Sequence, residues 1–168
     1  RETNLGATRN GYELFMRARG EYIIVLETDD YWTDPLKLRK QVDFLDTHPE
    51  YIGCAHAHAT IDEYGQTMRS SRRKISDQGE IFTCQDFLRE GFVFQTASLM
   101  YRNPFQDGAD YSILYKSHPL VGDLTVLSIL LLRGDIYLLP DCMSAYRLVI
   151  KKEGTSAASQ NAANVAAS

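Results

Sequence analysis

Glu27-Thr28-Asp29-Asp30 puts three carboxylates within four positions. Carboxylates crowded in this way repel one another, so a cation or a proton must relieve them. Hard oxygen donors suit Mg²⁺ or Mn²⁺, and Mg²⁺ is commonly held by one or two carboxylates together with phosphate oxygens. The chemistry indicated is a metal–phosphate site built on Glu27, Asp29 and Asp30. A further acid, Asp123, follows Gly122 and opens the apolar run Leu124 to Leu132. An Asp at that position caps a helix well. At a cleft edge it can also take a proton from a hydroxyl as a general base. Asp110 and Asp107 stand next in line for that role.

The elements that must position these acids are legible in the spacing. The run Tyr22 to Leu26 predicts a buried strand of the parallel type over Glu21–Leu26. Its carboxyl end carries the acids, and the ligand crevice of an open α/β sheet lies outside such ends. A helix over Tyr12–Arg19, with Leu14, Phe15 and Ala18 on one face, stops at Gly20. The next helix starts at Asp34 as cap and Pro35 as first residue, repeats Leu38, Val42 and Leu45, and ends before Pro49. Tyr51 to Thr60 and Thr96 to Tyr101 read as strands. Thr83 caps a short helix, Gln85 to Arg89, ended by Gly91. Asn103 to His118 reads as loop with one short turn. The helix Leu124–Leu132 ends at Gly134, a strand Ile136–Leu139 is halted by Pro140, and Tyr146–Ile150 is the last element.

Composition narrows the function. A chain of 168 residues is one domain or part of one, and a net charge of −4 gives nucleic acid no footing. The basic run Arg69, Arg72, Arg73 and Lys74 lies in a Ser-rich stretch without aromatic residues and reads as a loop. Cys54, Cys84 and Cys142 are odd in number and lack C-x-x-C spacing, so free, buried thiols and a reducing, cytoplasmic setting are expected. No stretch approaches 18 apolar residues, so no membrane span is expected. His56 and His58 alternate along one strand and share a face. No matching acid spacing follows, which favours a core or groove role over metal. The tail 153–168 is Ala, Ser and Asn, too poor in apolar bulk to order itself.

The acidic segment is followed by Tyr31-Trp32 and then by Pro35-Leu36-Lys37-Leu38-Arg39-Lys40-Gln41-Val42-Asp43-Phe44-Leu45. This order resembles family 2 glycosyltransferases of the GT-A fold, where a strand ends in Asp-x-Asp-Asp before an aromatic pair and a Lys- and Gln-rich helix. Glu27 stands where the family usually has Asp. The likeness continues through Gln95 to Arg102, then Gly122-Asp123, Gly134-Asp135-Ile136-Tyr137 and Ser144-Ala145-Tyr146-Arg147.

The resemblance implies an inverting transfer of a sugar from a nucleotide-diphosphate sugar to a glycan or lipid-linked acceptor, in polysaccharide or cell-surface glycan synthesis. It assigns Mg²⁺ or Mn²⁺ to Glu27, Asp29 and Asp30, and the base role to Asp123. Arg147 is expected to reach the diphosphate or to make a structural ion pair. Trp32 is expected to pack under the site or contact a sugar. The family's N-terminal nucleotide-binding strands have no counterpart here. The chain is therefore expected to be a partial GT-A (Rossmann-like) α/β domain over 1–152, a mixed sheet flanked by helices. Alone it is expected to be inactive and to self-associate through an open sheet edge. The full-length protein is expected at the inner face of the membrane as a peripheral protein. Other readings of the same residues are a non-catalytic sugar-binding or oligomerisation module, and a hydrolase using Asp29 and Asp123. The adjacent acids at one strand end fit a hydrolase's pair of flanking carboxylates poorly.

Overall fold

The computed structural model describes residues 5–70, 74–118 and 122–148, with the side chains of 69 and 70 excepted. The expected tail 153–168, Arg72 and Arg73 of the basic run, and the end of the expected strand Tyr146–Ile150 lie outside those residues. In chain order the elements are α1 (Ala7–Arg17), β1 (Tyr22–Ile24), β2 (Tyr31–Trp32), α2 (Lys37–Thr47), β3 (Tyr51–Ile61) and β4 (Thr67–Ser70). They continue with β5 (Glu80–Phe82), α3 (Cys84–Glu90), a 3₁₀ turn at Thr96–Ser98, β6 (Met100–Arg102), α4 (Ile113–Lys116), α5 (Asp123–Leu131) and β7 (Asp135–Arg147).

One mixed sheet runs β1-β6-β3-β7-β2, with β4 added beside β3 and β5 beside β7. Among the described residues only β3 and β7 pair in parallel. Side chains alternate across a strand, and β3 shows the consequence. Cys54 packs with Leu45 and Met100 under α2, while its neighbour Ala55 joins the larger core on the other face. That larger core takes Ile23, Ile136 and Leu138 from the sheet and Val126, Leu127, Leu130 and Leu131 from α5. Helices thus cover both faces, the arrangement expected of a partial GT-A α/β domain.

Several expectations are corrected. The strand before the acids is antiparallel to its neighbour: Ile23 pairs with Tyr101 of β6. Its continuous apolar run reflects an edge strand that enters the core, not a parallel one. Helix α1 starts at Ala7, earlier than Tyr12, and Leu14 is 68% exposed, so its core contact comes through Phe15 instead. Asp34 accepts the Leu36 N–H at 2.7 Å in the turn before α2, whose N-cap position is Leu36. Thr96–Ser98 is a 3₁₀ turn, and the strand there begins at Met100. Cys142 is exposed, although all three thiols are free. Pro140 does not end a strand. The β3–β7 register jumps from His56↔Leu139 to Ala57↔Cys142, so Pro140 and Asp141 bulge out of the ladder. A bulge is where a residue without an N–H can sit inside a strand. Strands β4 and β5, short and on the sheet's periphery, carried too weak an alternation to be read.

Candidate functional site

The acids follow β1 after Val25 and Leu26. Ile23 anchors the strand in the core, and the chain then turns sharply, Asp30 donating its N–H to the Glu27 carbonyl at 3.2 Å. Asp30 faces inward. Its Oδ1 accepts the backbone N–H of Arg147 at 2.9 Å, and its buried Oδ2 has no hydrogen-bond partner among the described residues. Burial raises its pKa, opposed by that N–H. Arg147 is the clasp of this loop. Its guanidinium donates to the carbonyls of Asp29 at 3.2 Å, Asp62 at 3.1 Å and Glu63 at 3.2 Å. Trp32 donates Nε1–H to the Ala97 carbonyl at 3.1 Å and lies under the Lys37 ammonium, 4.6 Å from its ring centre.

Glu27 and Asp29 remain open to solvent. Although much of its surface is accessible, the Glu27 carboxyl is crowded by protein. Desolvation, then the charges of Asp30, Asp29 and Asp123, push its pKa up to about 7. Asp123 is exposed at the first position of α5, with Oδ1 accepting the Leu124 N–H at 2.9 Å. Glu27 and Asp123 line one cavity of about 200 Å³. Two acids 96 positions apart in the chain therefore meet near the end of β1. Thr8, Tyr12 and Phe15 of α1 form another wall. Those three were missed, and the only sequence sign was the amphipathic face that ends at Gly20.

The other acids are engaged elsewhere. Asp107 pairs with Arg133 at 2.7 Å, and that guanidinium with the Ala109 N–H and the Tyr111 hydroxyl holds its pKa down at about 2. Asp110 bonds the N–H and hydroxyl of Ser112. His56 and His58 are buried. Among the described residues no group of three His, Cys, Asp or Glu side chains is arranged to hold a metal ion. The sequence also hid a buried polar seam. Lys37 is 1% exposed and donates to Gln41 Oε1 at 2.6 Å, and Gln41 donates to the carbonyls of Cys54 at 3.0 Å and Ser98 at 2.9 Å. Lys37, Gln41 and Leu45 recur every four residues on the inner stripe of α2, which is the signal that was there to read.

A family model described as glycosyl transferase family 2 matches residues 1–108. The chain belongs to glycosyl transferase family 2. The match takes in α1, the acidic turn and β6, and stops short of Asp123. The chain is also similar, at 37% identity over 148 residues, to an uncharacterized protein of Mycobacterium bovis and to uncharacterized proteins of two Mycobacterium tuberculosis strains. Those alignments cover 88% of this chain and 40% of each relative, so the chain spans about two-fifths of the length of the curated relatives it matches. No helix among the described residues is long and apolar enough to cross a membrane.

Proposed function

We propose that this chain is the C-terminal part of the catalytic domain of an inverting glycosyltransferase. The enzyme transfers a sugar from a nucleoside diphosphate to a hydroxyl of a glycan or lipid-linked acceptor during polysaccharide or cell-surface glycan assembly. The observation that supports this most is the shared cavity of Glu27 and Asp123 at the end of β1. An Asp123 carboxylate oxygen accepts the proton of the acceptor hydroxyl while the hydroxyl oxygen attacks the anomeric carbon. The bond from that carbon to the diphosphate oxygen breaks, its electrons leave with the diphosphate, and attack from the opposite face inverts the centre.

The donor set fits a divalent metal. Glu27 and Asp29 are accessible carboxylates, Glu27 is destabilised as an anion by its neighbours, and Mg²⁺ needs only one or two such ligands beside phosphate oxygens. Mg²⁺ or Mn²⁺ held by Glu27 and Asp29 would supply charge neutralisation at the leaving diphosphate. Asp30 and Arg147 act differently in this reading: they hold the turn so that the Glu27 and Asp29 side chains stay outside the core. Trp32 supports the turn from below. A cytoplasmic, membrane-peripheral location matches unpaired thiols and lipid-linked acceptors.

Single-turnover transfer by the full-length protein tests the assignment. Asp123→Asn should fold normally and bind donor, yet lose about 10²–10⁴-fold in rate. Retention of more than about a tenth of the rate removes Asp123 as base. In the same protein, nucleoside diphosphate binding followed by calorimetry should depend on the metal. Equal affinity in chelator overturns the metal role.

A further inference from the structure

Lys37, Gln41 and Trp32 form a tripod on which the 3₁₀ turn Thr96–Ser98 is docked. Gln41 donates its amide N–H groups to the carbonyls of Ser98 at 2.9 Å and Cys54 at 3.0 Å. Trp32 donates its indole N–H to the adjacent carbonyl, Ala97, at 3.1 Å. Two consecutive carbonyls of the turn are thus held by two side chains, and Lys37 joins the two holders. Its ammonium donates to Gln41 Oε1 at 2.6 Å and stands 4.6 Å from the centre of the Trp32 ring. An ammonium has donors and no acceptor, so it fixes the Gln41 amide with its oxygen toward Lys37 and its N–H groups toward the carbonyls. Lys37, Gln41, Ala97 and Ser98 are buried, so bulk water does not compete for these bonds. Stability does not account for the arrangement. Lys37 is a buried cation with no carboxylate paired to it among the described residues, and such a charge destabilises a fold.

What the tripod holds is a wall of the site. Thr96 lines the cavity that Glu27 and Asp123 share. Trp32 follows Asp30 by two positions and pairs with Ser144 of β7. The tripod therefore ties the Thr96 wall to the strand that leaves the acidic turn. The acidic turn has an anchorage of its own in the Asp30–Arg147 clasp. We infer that Lys37 and Gln41 are positioning residues for sugar transfer: with Trp32 they set the Thr96 wall beside Asp123, where the acceptor hydroxyl has to lie. The inference rests on the transferase reading with Asp123 as base. In that reading metal and diphosphate sit on Glu27 and Asp29 and do not need the tripod. Water, the smallest acceptor, needs no wall to place it. Transfer to a sugar hydroxyl therefore depends on the tripod, and hydrolysis of the donor does not. A displacement of about 1 Å in such a wall lowers a rate by about 10²-fold.

The test uses the full-length protein with Mn²⁺. The donors are UDP-glucose, UDP-galactose and GDP-mannose, and the acceptors are the octyl glycosides of the same sugars. Lys37→Met is combined with Gln41→Met, so that neither a charge nor an amide is stranded. Replacing both partners by apolar groups of similar shape is close to neutral for stability. The variant should melt no lower than the parent, bind nucleoside diphosphate equally well and hydrolyse donor at the same rate, yet transfer at least about tenfold more slowly. Amide hydrogen exchange should quicken at Ser98 and Leu99, whose N–H groups bond within the turn, and stay unchanged at Asp30, whose N–H bonds to Glu27. Trp32→Phe keeps a ring beside Lys37 and removes only the donor to Ala97. It should shift the ratio of transfer to hydrolysis the same way and by less, and it decides the matter if the double variant does not fold. Transfer and hydrolysis that fall together with the melting temperature make the tripod merely structural and overturn the inference. An unchanged ratio, or unchanged exchange in the turn, overturns it as well. A parent that transfers none of these sugars refutes the transferase reading and takes this inference with it. An active parent whose variants keep the ratio refutes this inference alone.

Discussion

Glu27 is the carboxyl of the acidic turn that its surroundings displace furthest, to about 7 from an ordinary 4.5. The folded state therefore holds its proton more tightly than the unfolded chain does. Stability from this group is present below about pH 4.5 and is lost as pH rises through 7. Glu27→Gln should melt higher than the parent at pH 8 in chelator, and at the same temperature at pH 4. The difference should be small, because Glu27 is open to solvent. Parallel melting curves at both pH values would remove the crowding argument. Lys37 presents the opposite sign. It is a buried cation with no carboxylate paired to it among the described residues, and desolvation lowers its pKa from 10.5 to about 8. Between those two values the unfolded chain binds the proton and the folded chain does not, so stability rises with pH from 8 to 10.5. Lys37→Met fills a similar volume without charge. It should raise the melting temperature at pH 7 and abolish that rise, and denaturant titrations across pH 7–10.5 measure both effects.

At the scale of elements, the site depends on how closely β6 and β3 approach. A Cβ at Gly53 would lie 2.7 Å from the Met100 carbonyl oxygen and 3.1 Å from Tyr101 Cβ. Neither atom is the free end of a flexible chain, so Gly53→Ala must push β6 away from β3. Through Ile23↔Tyr101 that shift carries β1 and the acidic turn with it. Overpacking of this kind costs about 1–3 kcal/mol. The expected outcome is a melting temperature lowered by several degrees, together with weakened donor binding. Unchanged stability would mean that β6 tolerates displacement and that the turn is held by the Asp30–Arg147 clasp alone.

For the whole molecule, β1 is the critical edge. Among the described residues it pairs only with β6, so the N–H and C=O groups along its other side face outward. Edges of this kind recruit further strands. Leu26, which follows β1, is 43% exposed beside that edge. The isolated chain should therefore associate with a second copy through β1. Light scattering should show a mass that grows with concentration, and Ile24→Pro, which removes a donor from the open side, should return it toward monomer. A strict monomer at high concentration sinks the idea. In the longer relatives, the remaining three-fifths of the sequence has room to supply a covering strand.

The sequence by itself determined the local features. Glu27, Asp29 and Asp30 are adjacent, so their shared position at a strand end followed from one apolar run and one turn. Thr83 and Gly91 bounded α3 as expected, because the Thr83–Asp86 capping box is complete within four residues. The match of residues 1–108 to glycosyl transferase family 2 bears out the resemblance carried by those motifs. Tertiary structure decided the direction of β1, since the same apolar run suits either pairing and only the partner strand chooses. It also decided that Pro140 sits in a bulge, because only the register against β3 creates room for it. The burial of Asp30 and Lys37 was decided the same way: residue type marks a group as charged, but not whether it points into the core. Above all, the meeting of Glu27 with Asp123 depends on α1, the end of β1 and α5 converging. Contacts between residues so far apart in the chain leave no periodicity to read; packing alone brings them together.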